Sequence, residues 1–202
     1  MRDTSKPLST REAILEATSR ALASVGYKKM KIEDLAREVG IGKGSVYLHF
    51  KSKEDIVLAH IDSIFSDLRA RMHEVETSSL SAAERVELVL TARVMMRFDA
   101  VRNYPKGLNE ILAVVRDRLL ERRKQYFAAE AEILARIIRD GVAGGEFDVS
   151  DELVAGKALV DATNALLPFN LSAKEIGDRD EVEARLTAIS NILIDGLRYR
   201  CQ

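Results

Sequence analysis

A single cysteine, Cys201, stands one residue from the end of this 202-residue chain, so no intrachain disulfide can form and at most one exposed thiol remains. Proline is almost as scarce: three in all, leaving long stretches that no ring interrupts, while 47% hydrophobic residues are enough for a sizeable core. Long apolar runs are missing too. None follows the charges at the N-terminus, and the longest is far too short to span a bilayer, so neither a signal peptide nor a membrane segment is expected and the chain is expected to stay in the cytoplasm. No segment alternates convincingly in the period-two pattern of a strand. The three histidines, His49, His60 and His73, are too far apart for the ligand pairs of a zinc site. Each is expected to be a surface or boundary residue. Asp151-Glu152 and Asp180-Glu181 fall where helices begin, where negative charge complements the helix dipole, and this accounts for them without acid–base catalysis. No nucleophile is marked, so no metal, cofactor or enzymatic chemistry is expected.

What is present is concentrated between Lys31 and Lys53, KIEDLAREVGIGKGSVYLHFKSK. Ile32, Leu35, Ala36 and Val39 recur at the spacing of one buried helical face, with Glu33, Asp34, Arg37 and Glu38 on the other. Gly40 suits a left-handed helix end and Ile41 can pack back on it. A second helix restarts near Lys43. Val46 and Phe50 lie four apart and face inward, leaving Lys43, Ser45, Tyr47, Leu48 and His49 around the remainder. This is the layout of a helix-turn-helix. Lysine and the tyrosine hydroxyl reach phosphates, serine bonds phosphate or base edge, and leucine offers an apolar surface to a thymine methyl. Periodicity alone leaves open a plainer reading, two amphipathic helices with a solvated basic face. The neighbouring GIGKGS, Gly40 to Ser45, looks like a phosphate-cradling loop. It follows a helix rather than a strand and lacks the full nucleotide-binding spacing, so no nucleotide cofactor is expected.

Charge is divided unevenly. Residues 1–53 carry 11 Lys+Arg against 6 Asp+Glu, a net of +5, and subtraction from the totals of 31 and 32 leaves 20 against 26, a net of −6, for residues 54–202. A basic front and an acidic back fit a chain that meets a polyanion with one end.

The first 60 or so residues resemble the TetR (tetracycline repressor) family of bacterial transcriptional regulators. The resemblance rests on REAILEATSRALASVGY ending in Gly26-Tyr27, then IEDLAREVGIGKGSVYLHF, then KSKEDIVLAHI opening a long fourth helix. It implies an all-α chain of about nine helices: an N-terminal three-helix DNA-binding domain, residues 1–53, and a larger effector-binding and dimerisation domain, residues 54–202, linked by the fourth helix from about residue 52. It also implies that Lys43, Gly44, Ser45, Tyr47, Leu48 and His49 form the recognition helix and that Lys53 touches the phosphate backbone. Lys31 departs from the family, which usually has Ser or Thr there. Lysine cannot accept a bond from an orphan N–H, so the cap is lost, and Lys31 is kept as a weaker contact through its charge.

Beyond residue 54 no family-wide motif helps. Punctuation places the fourth helix from Ser52 to about Val75, a fifth from about Ser81 to Arg102, and a short sixth after Tyr104-Pro105. A seventh is expected over about 116–142, and two more near 150–167 and 180–200. The last two carry more apolar surface than one core face needs: Leu153, Val154, Ala158, Val160, Ala162, Ala165 and Leu166, then Leu186, Ile189, Ile192, Leu193, Ile194 and Leu197. Both faces could pack within one chain. The resemblance implies instead a homodimer through these helices, presenting two recognition helices to a palindromic double-stranded operator. It also implies a small-molecule effector in the C-terminal domain. Met96, Phe98, Tyr104, Asn109, Phe127, Asn164 and Phe169 are candidate lining residues, although methionine and phenylalanine fill helical cores everywhere. Asn164 stands out, since a buried amide in an Ala/Leu-rich helix must find partners. The expected protein is a repressor released by that effector. Two other readings are a DNA-binding regulator or architectural protein without an effector, and a small-molecule-binding helical protein with a vestigial helix-turn-helix.

Overall fold

A computed structural model describes residues 8–102, 108–167 and 177–198, and every structural statement below concerns these. Nine α-helices lie among them, with no strand beyond one isolated bridge pair, Phe147 and Arg198.

The N-terminal helices form where the sequence marks them. Helix α1 (Thr10–Ser24) opens on a capping box: the Ser9 hydroxyl accepts from the Glu12 N–H and the Glu12 carboxylate accepts from the Ser9 N–H at 2.9 Å. A single extra turn, α2 (Gly26–Lys29), follows it and buries Tyr27. Helix α3 (Ile32–Val39) starts after Lys31 with no side-chain cap, as lysine requires. It ends at Gly40, whose φ of +76° is the left-handed conformation open to glycine, and the Ile41 N–H returns to the Ala36 carbonyl at 2.9 Å. Helix α4 (Lys43–His49) then buries Val46 and is followed by the buried Phe50.

Helix α5 (Lys53–Glu76) begins where the Ser52 hydroxyl accepts from the Asp55 N–H at 3.1 Å. After it come α6 (Ala82–Arg102), α7 (Leu108–Ala143), α8 (Glu152–Thr163), whose N-cap is Asp151, and α9 (Arg179–Leu197), which opens on an Asp178–Glu181 capping box. A turn of 3-10 helix, Asn164–Leu166, extends α8. One expectation is corrected here. The separate sixth and seventh helices are one 36-residue helix. The sequence between the two expected helices, from Leu108 to Lys124, contains no proline or glycine, and nothing in it can stop a helix already propagating. His60 is also corrected: it is buried among Ile56, Val57, Leu58 and Ile61 rather than lying at a boundary.

The described residues divide into two compact units, residues 8–63 with 108–119, and residues 64–102 with 120–167 and 177–198. The division runs through α5, the helix expected to link the two domains, and through α7. In the larger unit Leu68, Met72, Val86, Val89, Leu90, Leu134, Ile137, Ile138, Val160 and Ile194 share one core. Gly156 lets α8 approach α7 closely, since a Cβ there would lie 2.5 Å from the Ala131 carbonyl oxygen. Backbone cannot yield as a side-chain tip can. Gly156→Ala is therefore expected to lose about 1–2 kcal/mol, overpacking outweighing the ~1 kcal/mol of helix propensity that alanine adds. A denaturant midpoint equal to or above the parent's would show that α8 lifts off α7 at no cost.

Candidate nucleic-acid interface and effector region

Helix α4 keeps only Val46 fully inside, so the rest of its surface is available. Leu48 is 86% exposed, and Lys43, Gly44, Tyr47 and His49 are exposed as well, with Ser45 half-buried. A Cβ on Gly44 would meet nothing within 4 Å, so the protein's own packing does not require glycine there, and its bare backbone is offered outward. Lys43 Nζ lies 2.5 Å from the Glu33 carboxylate, which raises the lysine pKa, and 5.9 Å from the Tyr47 ring. Such an exposed, solvent-screened pair is weak enough to be exchanged for a phosphate. The N-cap, Gly42, supplies no side-chain acceptor. The first N–H groups of α4 therefore keep no side-chain cap, a feature that suits an approaching phosphate.

Lys53 is held differently. Its ammonium stands 4.2 Å from the centre of the Tyr27 ring and donates to the Lys28 carbonyl at 3.4 Å. Partial burial lowers its pKa below the usual lysine value. Tyr27 in turn donates to Glu54 at 2.7 Å, and burial followed by that carboxylate raises the phenol pKa. Lys53 is thus anchored beside α2 at the start of α5, while Lys31 is exposed at the start of α3. The structure brings the α4 residues onto one exposed surface and gives Lys31 and Lys53 separate positions at neighbouring helix starts.

The effector candidates scatter. Tyr104 and Phe169 lie outside the described residues, as does the side chain of Asn109. Phe98 is fully buried in α6, and Met96 is half-buried against the core. Asn164 and Phe127 do converge, on a group the sequence reading missed. Arg93 and Arg97, one turn apart on α6, are 0% and 1% exposed. Arg93 Nε donates to Glu130 at 2.7 Å, one of its terminal nitrogens to the Thr163 hydroxyl at 2.7 Å and the other to the Asn164 side-chain oxygen at 2.5 Å. Arg97 pairs with the other Glu130 oxygen and donates to the Arg93 carbonyl at 3.0 Å. Burial lowers the Arg93 pKa to about 10, against which Glu130 raises it, and lowers that of Arg97 likewise. A signal was available in the sequence: Arg93 and Arg97 stand in the stripe Val86, Val89, Leu90, Val94 and Phe98, where a solvated arginine has no place.

No group of three or more metal-ligating side chains occurs among the described residues, and no helix there is long and apolar enough to cross a membrane.

A helix-turn-helix with an exposed, uncapped second helix within a basic N-terminal segment, residues 1–53, followed by an acidic helical remainder, defines a DNA-binding transcriptional regulator. Residues 14–60 match the model of bacterial regulatory proteins of the tetR family, and residues 82–190 match that of the tetracyclin repressor-like C-terminal domain. The chain belongs to the TetR family. It is 30% identical over 172 residues, 75% of this chain and 77% of the other, to the HTH-type transcriptional regulator TtgR of Pseudomonas putida. A crystal structure of a transcriptional regulator from Cytophaga hutchinsonii shares the fold with a TM-score of 0.77 at 19% identity, covering 93% of this chain and 98% of that one. FadR from Bacillus subtilis, in complex with stearoyl-CoA, shares it with a TM-score of 0.63 at 20% identity, covering 93% and 99%.

Proposed function

We propose that this regulator is a dimeric repressor that holds a two-fold operator through paired α4 helices and releases it when a small molecule binds the C-terminal unit. The observation that carries the DNA half is the exposure of Lys43, Gly44, Tyr47, Leu48 and His49 on a helix anchored from behind by Val46 and Phe50. Ser45, Lys31 and Lys53 complete the contact surface in this reading. The dimer half is supported by a second apolar face on the last two helices. Leu159, Val160, Leu166, Leu186, Ile194 and Leu197 are buried, while Val154 is 60% and Ile192 73% exposed, with Leu153 and Ala158 exposed beside Val154. A soluble monomer gains nothing from such a face. The effector half draws on the family and on FadR, which was crystallised with a ligand.

Helix α5 is one uninterrupted 24-residue helix belonging partly to each unit, so it is the natural carrier of the signal. The effector must favour the released conformer. Shifting the population from 1:99 to 99:1 needs about 5.5 kcal/mol of differential binding. Labels on the two α4 helices should change separation when an effector releases DNA; an unchanged separation rules this mechanism out.

Binding to DNA from around the coding region, followed by fluorescence anisotropy at several salt concentrations, tests the DNA half. Tyr47→Ala should weaken operator binding about a hundredfold or more, since each dimer loses two charge-assisted phosphate bonds. Lys53→Ala should reduce the salt slope by about 2, one phosphate contact per reading head. Both variants should remain dimeric. Parental affinity in either would mean that α4 is oriented differently on DNA.

A further inference from the structure

The buried cluster in the C-terminal unit does not balance its charge. Two guanidinium groups, Arg93 and Arg97, share one carboxylate, Glu130, which is itself buried. The next carboxylate, Asp161, is exposed and reaches the cluster through the Asn164 amide at 3.3 Å, so water screens most of its effect. Aromatic rings lie against the guanidinium groups as well. Phe65 lies 4.6 Å from Arg97, and Phe127 lies 5.0 Å from Arg93, 5.9 Å from Arg97 and 5.4 Å from Arg123. Phe65 also stacks on Tyr126 with ring centres 3.7 Å apart. Rings soften a cation's burial and do not neutralise it. Arg97 Nε completes the imbalance: it is fully enclosed, yet it has no hydrogen-bond partner.

Interiors seldom leave a donor unpaired or a positive charge uncompensated without a use for it. Arginine stays protonated at neutral pH, so the surplus cannot be relieved by titration.

We propose that Arg97 and Arg93 anchor the acid group of a small organic carboxylate, which brings the buried charges to two and two and gives Arg97 Nε its acceptor. The reading rests on the C-terminal unit being an effector domain and names the chemical class of the effector. Carboxylate is favoured over phosphate by charge. Of the five N–H groups on each guanidinium, Arg93 uses three and Arg97 two, and the Arg97 Nε–H is the one whose nitrogen has no acceptor at all; a carboxylate's single negative charge balances the cluster, whereas a phosphate, carrying about −1.5 to −2 near pH 7, overshoots it. The body of the ligand is apolar, laid against Phe65 and Phe127. Met96, Tyr126 and Phe127 are half-buried, so the surface is one side chain away from the cluster.

The test is calorimetric titration of the full-length protein without DNA at pH 7. Benzoate, phenylacetate and octanoate are compared with benzamide, phenylacetamide and octanamide. At least one acid should bind, and at least tenfold more tightly than its amide. Glu130→Gln should strengthen that acid about tenfold by removing the competing carboxylate, and Arg97→Met should abolish the preference. Arg97→Lys should keep the preference in part, and thermal melts of each variant confirm folding. If Glu130→Gln does not fold, the Arg97→Lys and Arg97→Met pair decides alone. Binding of no acid, equal binding of acid and amide, or weakening by a folded Glu130→Gln overturns the proposal. The same compounds added to the operator complex separate this idea from the broader one. Release by an amide but by no acid keeps the effector reading and discards the carboxylate. Acids that bind the free protein and leave the operator complex intact do the reverse.

Discussion

Glu130→Ala should destabilise the protein by about 3–5 kcal/mol, the usual consequence of removing one partner from a buried ion pair. The reason is what remains. Arg93 and Arg97 would lie one turn apart on α6 as two enclosed cations with no counter-ion, and the remaining partners of Arg93, Thr163 and Asn164, are neutral. For a chain of this length each kcal/mol moves the midpoint by about 2–4 °C, so Tm should fall by roughly 6–20 °C. The companion result is as informative. Replacing Arg93, Arg97 and Glu130 together by methionine should leave stability near the parental value, because the desolvation cost of all three charges disappears along with their attraction. A Glu130→Ala variant melting within about 2 °C of the parent would mean that the two guanidinium groups find another anion or water in solution.

Val154→Glu combined with Ile192→Glu should turn the proposed dimer into a monomer and lower operator affinity by at least about 100-fold. Linking two reading heads makes the second contact intramolecular, an advantage of 10²–10⁴ that vanishes when the heads separate. The two positions are chosen because both are well exposed in the single chain, so glutamate there costs the monomer almost nothing. Sedimentation velocity reads the oligomer, and anisotropy on the same sample reads the operator. A variant that remains dimeric places the interface elsewhere. A variant that is monomeric yet binds the operator at parental affinity would show that one reading head suffices.

The DNA-reading half of the molecule was legible because it depends on local rules. Gly40 is demanded by a left-handed helix end, Val46 and Phe50 by a four-residue spacing, and neither needs knowledge of distant residues. Helix ends at Arg102 and Ala143, and the helix starts at Asp151 and near Asp180, were readable or nearly so for the same reason. The expected break before residue 116 failed because no proline or glycine stands between Leu108 and Ile138 to interrupt the helical hydrogen bonds. Glu130 was illegible for a different reason. Its role depends on Arg93, 37 positions earlier, and only the packing of α7 on α6 brings them to 2.7 Å. Asn164 was singled out for needing a partner, and the partner it accepts from is an arginine, which the sequence alone could not name.

Because α7 contributes residues 108–119 to the same compact unit as the reading head, the portable piece of this regulator is discontinuous. Ile111, Val115 and Leu119 are all buried. A chimera that grafts residues 1–53 onto the sensing half of another regulator would therefore meet an α7 surface shaped for a different guest. Exchanging 1–63 and 108–119 together carries the matching surface with the head, and operator choice and effector choice can then be recombined without rebuilding either.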